Sequence, residues 1–537
     1  MLRAFTARLA DIFGPGTGQY VNSDGVLVYG KLPRPKLENP FRVMMRPTGM
    51  NYLYFLVGWA AWTMDGYDFH SVSLSLSRLA EFYDKPRESI ATSITLTLLF
   101  RPIGAVLFGF AGDMYGRKWP MIANLILISG LQLATAYCYT FKSFLIVRAM
   151  FGIGMGGIWG NAASMGLENM PVDCRGVFSG ILQQGYALGY LIAALMNLYV
   201  VPRVDMTFRA LFYIGAALTF LVAFARLFFP ESHQFLEKKA AAALLPPTTA
   251  MQKIQAFKSQ VQKMLKKYWR RCLYATLLLG IFNAMSHTSQ DLYPTYMQQT
   301  KLFSPESSSL ATIIAKCGAL LGGTFAGYYS QAFGRRATII IASFLGAIFI
   351  PLWVLPSSWG ALVAGAFVVQ FCVQGAWGII PIHLNELAPR GFRASFPGIT
   401  YQLGNMLASP MAQIASVISE NWKIWVTVDG KREERPDYGS TQAVMMAVIF
   451  TLTMIWTAAG PEKRGVEFEE PEVGEGEKGE ILPTFSCSSA ASSGGSGGGG
   501  TVVLDGKEGV VPVMDDSKGE IGPGEALELE NISRKMS

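Results

Sequence analysis

Four polar side chains share one face of an otherwise apolar segment. In FNAMSHTSQDLYPTYM (282–297), Asn283, His287, Gln290 and Asp291 fall within an arc of about 100° at helical spacing. An imidazole and a carboxylate one turn apart can share or relay a proton, and the flanking amides can hydrogen-bond a polar solute. Pro294 has no N–H for the carbonyl of Gln290, a defect tolerated at membrane depth where a cavity or neighbour satisfies it. The competing use of the stripe is a packed polar cluster joining two helices. Asp65, Asp68, Arg101, Arg148 and Lys316 also interrupt apolar stretches, where charge is costly and points to function by default. Arg101 can bind a carboxylate through two parallel hydrogen bonds and does not lose its proton. A structural ion pair with Asp291 or Asp68 is its alternative. Asp65 and Asp68, three apart, share a face and fit either a proton path or a hydrogen-bonded pair. Lys316 can pair with Asp291 or attract an anion, and Arg148 fits structural pairing at least as well as proton coupling. Gln402 and Asn405, also three apart, offer amides to a hydroxyl or keto oxygen.

Nothing in the chain suggests covalent catalysis. The patterns GxSxG, GxxxxGK[ST] and HExxH are absent, and GIGMGG at 152–157 lies inside an apolar run with no strand before it, where helix packing explains it. Six scattered cysteines without CxxC spacing imply neither disulfides nor a metal site. No enzyme, cofactor or metal is expected. Of the four histidines, His70, His233 and His383 are expected at span ends or in loops, without a role in the chemistry.

Positioning these groups is a task for membrane helices. The chain has 537 residues, 51% hydrophobic and only 15% charged, a combination rare among soluble proteins of this size. A spanning helix needs about 20 apolar residues, and such stretches occur near 51–71, 90–112, 119–139, 144–165, 176–200, 208–229, 271–298, 308–330, 337–356, 360–384, 394–418 and 441–460. The first 48 residues lack the layout of a secretory signal, so the first span is expected to direct insertion. Arg117, Lys118, Arg175, Arg335, Arg336, Arg390 and Arg393 all follow even-numbered spans, and the connection after the sixth is rich in lysine. Basic loops stay in the cytoplasm, so both termini are expected there, and the net charge of +7 is topological rather than a sign of nucleic-acid binding.

An internal repeat organises the spans. At a constant offset, Gly104, Gly109 and Gly116-Arg117-Lys118 align with Gly322, Gly327 and Gly334-Arg335-Arg336, and Gly157, Trp159, Glu168, Arg175 and Gln184 with Gly375, Trp377, Glu386, Arg393 and Gln402. Parallel repeats of this kind place a substrate site near the bilayer midplane between the halves. Residues common to both copies serve the fold, so the unmatched Arg101 (opposite Ala319) and Asn405 (opposite Ala187) carry more functional weight.

GFAGDMYGRK (109–118) and its echo GYYSQAFGRR (327–336) resemble the signature of the major facilitator superfamily. That resemblance implies an all-α membrane protein of twelve transmembrane helices in two six-helix halves. Gly109, Asp113, Gly116 and Arg117 are then gate or structural residues, as are Glu168 with Arg175 and Glu386 with Arg393, while Gln331 in place of Asp113 makes the charged latch lopsided. Asn283, Ser286, His287, Ser289, Gln290, Asp291 and Thr295 fit NxxSHxSQDxxxT, and with WTMDGYDF, FRPIGA and GPEKRG the chain resembles the fungal lactate and pyruvate permeases near the sialate–proton symporters. The resemblance implies proton symport of short monocarboxylates across the plasma membrane by alternating access. An essential arginine is implied at Arg101; Asn283, His287, Gln290, Gln402 and Asn405 are expected at the substrate, and His287, Asp291 and Asp68 on the proton path.

The expected organisation is a cytoplasmic tail (1–48), a first half (49–229), a central loop (230–269), a second half (270–460) and a disordered cytoplasmic tail (461–537). The sequon Asn531-Ile532-Ser533 would then stay unglycosylated, and Lys507 and Lys518 are candidates for ubiquitin-dependent trafficking factors. PES (230–232) and PEKRG (461–465) resemble sugar-porter signatures, so a carrier for a sugar, a sugar acid or a dicarboxylate is the nearest rival. A non-transporting nutrient sensor, suggested by the long tail, is a second.

Overall fold

The computed structural model describes residues 17–21, 27–31, 37–204, 208–231, 235–236, 250–389, 391–428, 431–464, 501–504 and 507–510. Twelve helical spans follow the expected order. The first six are Gly49–Leu74, Arg87–Tyr115, Lys118–Ala136, Phe141–Glu168, Arg175–Tyr199 and Arg209–Leu227. The second six are Ala250–Gln290, Pro305–Phe333, Arg335–Ile348 with Ile350–Val354, Trp359–Leu387, Ser395–Ala408 with Met411–Asn421, and Tyr438–Ala459. They are spans 1 to 12 below.

Eight of these are long and apolar enough to cross a bilayer on composition alone, among the described residues. The other four, spans 1, 7, 9 and 11, each have a physical reason. Spans 1 and 7 are diluted by the polar residues considered above. Spans 9 and 11 break next to Pro351 and Pro410, where a ring replaces the N–H that would continue the helix. Helix starts carry side-chain caps: Thr48, Thr140, Ser304 and Asp437 each accept from the N–H three residues on. Spans 2 and 8 end at Gly116 and Gly334, whose φ of 96° and 99° only glycine adopts without strain, which accounts for the glycine in both copies of the signature.

The halves meet where span 2 packs on span 11 and span 5 on span 8. The second contact is backbone on backbone: a Cβ at Gly180 would lie 2.3 Å from the carbonyl oxygen of Gly323, and one at Gly176 2.5 Å from that of Gly327. Small residues permit this approach where lipid offers no competing hydrophobic drive.

Three elements differ from expectation. The connection placed at 230–269 is partly helix, since span 7 begins at Ala250. There Phe257, Val261, Met264 and Tyr268 recur at helical spacing, and Phe257 stands 5.7 Å from Phe110 of the first half and 5.8 Å from Phe392 of the second. The opposite face keeps Lys258, Lys263, Lys266, Lys267 and Arg270 exposed. Antiparallel hairpins, Thr17–Val21 with Leu27–Lys31 and Lys423–Val428 with Lys431–Pro436, add strands to an otherwise helical chain. A separate unit, Glu472–Ser537, contains the hairpin Thr501–Leu504 with Lys507–Val510 within the tail whose composition suggested disorder. Lys518, Asn531 and His233 lie outside the described residues.

Candidate functional site

Arg101 sits in span 2 directly before Pro102 and is 1% exposed. Its guanidinium lies 4.8 Å from the ring centroid of Phe69 on span 1, and Nη2 donates to the Met155 sulfur at 3.2 Å. A thioether is a weak acceptor, and Nε has no partner among the described residues. Asp65 of span 1, Tyr186 of span 5 and Tyr401 of span 11 are its polar neighbours. With the Met155 sulfur and the Tyr186 hydroxyl as its side-chain hydrogen-bond partners and Nε unused, the buried guanidinium keeps donor capacity for an incoming anion.

Opposite it, span 7 presents the predicted stripe. His287 Nδ1 and Asp291 Oδ2 are 2.8 Å apart, both partly exposed. The helix stops at Gln290, one turn ahead of Pro294, and the Asp291 N–H still makes the i→i−4 bond to the His287 carbonyl at 3.0 Å. Gln290 Oε1 accepts from Lys316 of span 8, whose ammonium also lies 5.8 Å from the Tyr190 ring. Lys316 thus spends a bond on the stripe. Two other positions of the motif anchor span 7 to span 10: Trp377 donates to Ser286 at 2.7 Å, and Gln370 to Ser289 at 3.0 Å. Asn283 turns its amide onto its own helix, donating to Leu279 at 2.8 Å. On span 11, Asn405 donates to Gln402 at 2.8 Å, which leaves the Gln402 Nε2 unpartnered at 0% exposure.

Aromatic rings join these groups. Trp62 stacks on Tyr186 at 4.8 Å, Trp159 stacks on Tyr401 at 4.5 Å, and Tyr401 meets Trp377 edge-on at 5.8 Å. This box spans both halves, with Arg101 beside two of its rings. Sequence reading missed it, although aromatic residues at mid-span positions, and the paired Trp159 and Trp377 of the repeat, were the available signal.

The predicted proton path divides in two. His287 and Asp291 lie at the seam between the halves, whereas Asp68 is buried within the first half, accepting from Thr219 at 2.8 Å. Arg148 is nearby, donating to Gln132 at 3.2 Å with its guanidinium 3.9 Å from the Phe151 centroid. Two histidines are misplaced by the sequence reading. His70 lies inside span 1, 5.2 Å from Tyr186 and 4.8 Å from Tyr190, because the helix continues to Leu74. His383 is 0% exposed within span 10, which runs on to Leu387.

The gate motif gathers at the end of the bundle carrying the basic loops. Arg117 donates to Asp113 at 2.7 Å and to Glu168 at 3.0 Å; Arg335 donates to Glu386 at 3.0 and 3.1 Å. Arg175 donates to the Met170 carbonyl at 3.0 Å, and Arg393 is buried alongside. Asp113 also crosses the seam, accepting from the N–H groups of Ala394 and Ser395, each at 3.0 Å, at the start of span 11. Gln331 crosses the other way, donating to the Val172 carbonyl at 3.1 Å. The copies therefore differ in charge but both latch the opposite half. Two residues not anticipated at this end of the bundle join the cluster. Glu231 accepts from the N–H groups of Arg117 and Lys118 at 3.0 and 2.9 Å, and Glu462 from those of Arg335 and Arg336 at 3.2 and 2.9 Å. Each caps a helix with an anion, which explains PES and PEKRG in both halves. Burial raises the Glu462 carboxyl above the usual range.

The sequence model for "Sugar (and other) transporter" matches residues 41–317 and 274–430. The "Carboxylic acid transporter protein homolog" of Saccharomyces cerevisiae is 34% identical over 447 residues, 81% of this chain and 72% of that one. The sialic acid transporter NanX of Escherichia coli is 25% identical over 378 residues, covering 69% and 88%. The cis,cis-muconate transport protein of Acinetobacter baylyi is 23% identical over 355 residues, covering 66% and 84%. In fold, the proton:xylose symporter XylE of the major facilitator superfamily superposes with a TM-score of 0.59 at 17% identity, over 78% of this chain and 97% of that one.

Proposed function

This chain belongs to the sugar (and other) transporter family of the major facilitator superfamily, a family of carriers rather than enzymes, and from that premise we propose that it imports short monocarboxylates with protons. Lactate, pyruvate, acetate and propionate are the class intended. The observation that carries the reading is that a buried Arg101 with a free Nε is an electrostatic neighbour of His287, which stands 2.8 Å from Asp291. In the proposed cycle a proton from outside neutralises the pair, the anion docks on Arg101, and the halves rock about the loaded site. The proton and the anion then cross as a neutral load. Basic loops retained inside would put the latched end, both termini and the tail in the cytoplasm, with the plasma membrane as the site of import. Ubiquitin-dependent trafficking factors would act on tail lysines such as Lys507 and Lys518.

The test is uptake of labelled lactate against external pH. Uptake rises as pH falls, and Arg101→Ala abolishes it at equal surface level; normal uptake by that variant refutes the assignment. A carrier for a sugar acid or a dicarboxylate is the second reading, favoured by the likeness to the sialic acid and muconate carriers. Competition by those solutes, with none by short acids, would establish it.

A further inference from the structure

Trp62 and Asp65 stand out among the polar atoms around Arg101. Among the described residues, the Trp62 indole N–H, at 0% exposure, has no acceptor, and both Asp65 carboxyl oxygens, at 2% exposure, have no donor. Other indoles of these spans are satisfied: Trp59 donates to the Ile181 carbonyl at 3.1 Å, Trp159 to Gln183 at 3.2 Å and Trp377 to Ser286 at 2.7 Å. Trp62 cannot rotate to find a partner, since Tyr186 stacks on it at 4.8 Å and Trp159 and Tyr401 pack edge-on at 6.5 and 6.1 Å. Buried polar groups left unpaired each cost about 1–3 kcal/mol, and such vacancies in a native interior call for a specific partner.

The two vacancies are complementary. They lie three residues apart on one face of span 1, one a donor and the other an acceptor; Asp65 neighbours the guanidinium assigned to the substrate carboxylate, and Trp62 packs on Tyr186 and Tyr401, which neighbour it too. A hydroxyl is one donor and one acceptor. In a 2-hydroxy acid that hydroxyl is on the carbon next to the carboxylate. We propose that Trp62 and Asp65 form a hydroxyl-reading subsite beside Arg101, which makes 2-hydroxy acids the preferred class over acids of equal length that lack the hydroxyl. The substrate oxygen accepts from the Trp62 N–H and its hydrogen goes to Asp65. This rests on the carboxylate reading above and names the substrate feature that site selects. An unsubstituted acid leaves both groups unpaired, which is how polar sites discriminate sharply.

The experiment uses the full-length chain in cells without other lactate uptake, at matched surface level. Labelled lactate uptake is competed with unlabelled lactate and with propionate, its counterpart lacking the hydroxyl. Wild type prefers lactate. Trp62→Phe, which keeps a ring on Tyr186 and removes the N–H, raises the lactate inhibition constant about five- to tenfold more than that of propionate. An unchanged ratio, or equal loss for both acids, overturns the subsite and leaves Trp62 as packing. Should that variant not reach the surface, wild type alone decides: no preference for lactate over propionate, or for glycolate over acetate, overturns the proposal. Wild type that accumulates none of these acids overturns the carboxylate reading itself, a result distinct from an unchanged ratio.

Discussion

Asp113→Asn tests whether the latch at the basic-loop end holds the halves together. The Asp113 side chain is fully buried and its carboxylate accepts three bonds: from Arg117 at 2.7 Å, and from Ala394 and Ser395 N–H groups at 3.0 Å each. Span 11 starts after Ala394, a residue with no capping side chain, so an anion from the other half serves as its N-terminal cap. Hydrogen bonds to a charged group contribute about 1.5–3 kcal/mol and neutral ones about 0.5–1.5. Asparagine makes the cross-seam pair neutral and turns an NH2 toward donors, a loss of about 2–3 kcal/mol. At 1.4 kcal/mol per decade this shifts the closed-to-open ratio by roughly 30- to 150-fold. The assay is a distance measurement between spin labels at exposed Trp119 and Phe333, one in each half, in a chain with its six cysteines replaced. The ratio of long- to short-distance populations should rise by that factor. A ratio within threefold of wild type would refute the argument that Asp113 supplies the cross-seam cap.

At Gly180 the geometry leaves no room, since a Cβ would stand 2.3 Å from the Gly323 carbonyl oxygen. Gly180→Val is therefore expected to pry span 5 from span 8 and to lower uptake at least about tenfold at equal surface level. Glu231→Gln and Glu462→Gln should each lower stability in detergent by about 1–2 kcal/mol, read as thermal unfolding, because each carboxylate caps two N–H groups. Similar losses at the two sites are expected from the repeat. Because burial raises the Glu462 carboxyl, wild type should lose stability relative to Glu462→Gln as pH climbs from the ordinary glutamate range upward. Asp291→Asn, breaking the 2.8 Å pair with His287, should abolish proton-driven accumulation of lactate yet leave counterflow exchange measurable. Loss of exchange as well would place Asp291 in binding rather than coupling.

Much of the frame was legible in the chain. Apolar runs long enough to cross a bilayer located most of the spans within a few residues, because they depend on local composition, whereas span 7 begins at Ala250 rather than near 271, in a segment too polar to read as a span. The stripe on span 7 was readable because it too is local: His287 and Asp291 are one turn apart on any helix, and the structure has them at 2.8 Å. Where helices end was less legible. His383 was expected at the end of an apolar run closing at residue 384, yet the helix of span 10 runs on to Leu387. The partners were beyond reach. Asp113 meets Ala394 and Ser395 about 280 residues later, and Lys316 meets Gln290 on a different span. Such contacts depend on how each helix is rotated against its neighbour, which side-chain packing across the seam decides and no periodicity encodes. The same holds for Trp62 and Asp65: sequence places them on one face of span 1, and only the tertiary structure, which packs Tyr186, Trp159 and Tyr401 against Trp62 and buries Asp65, leaves their polar atoms without a partner among the described residues.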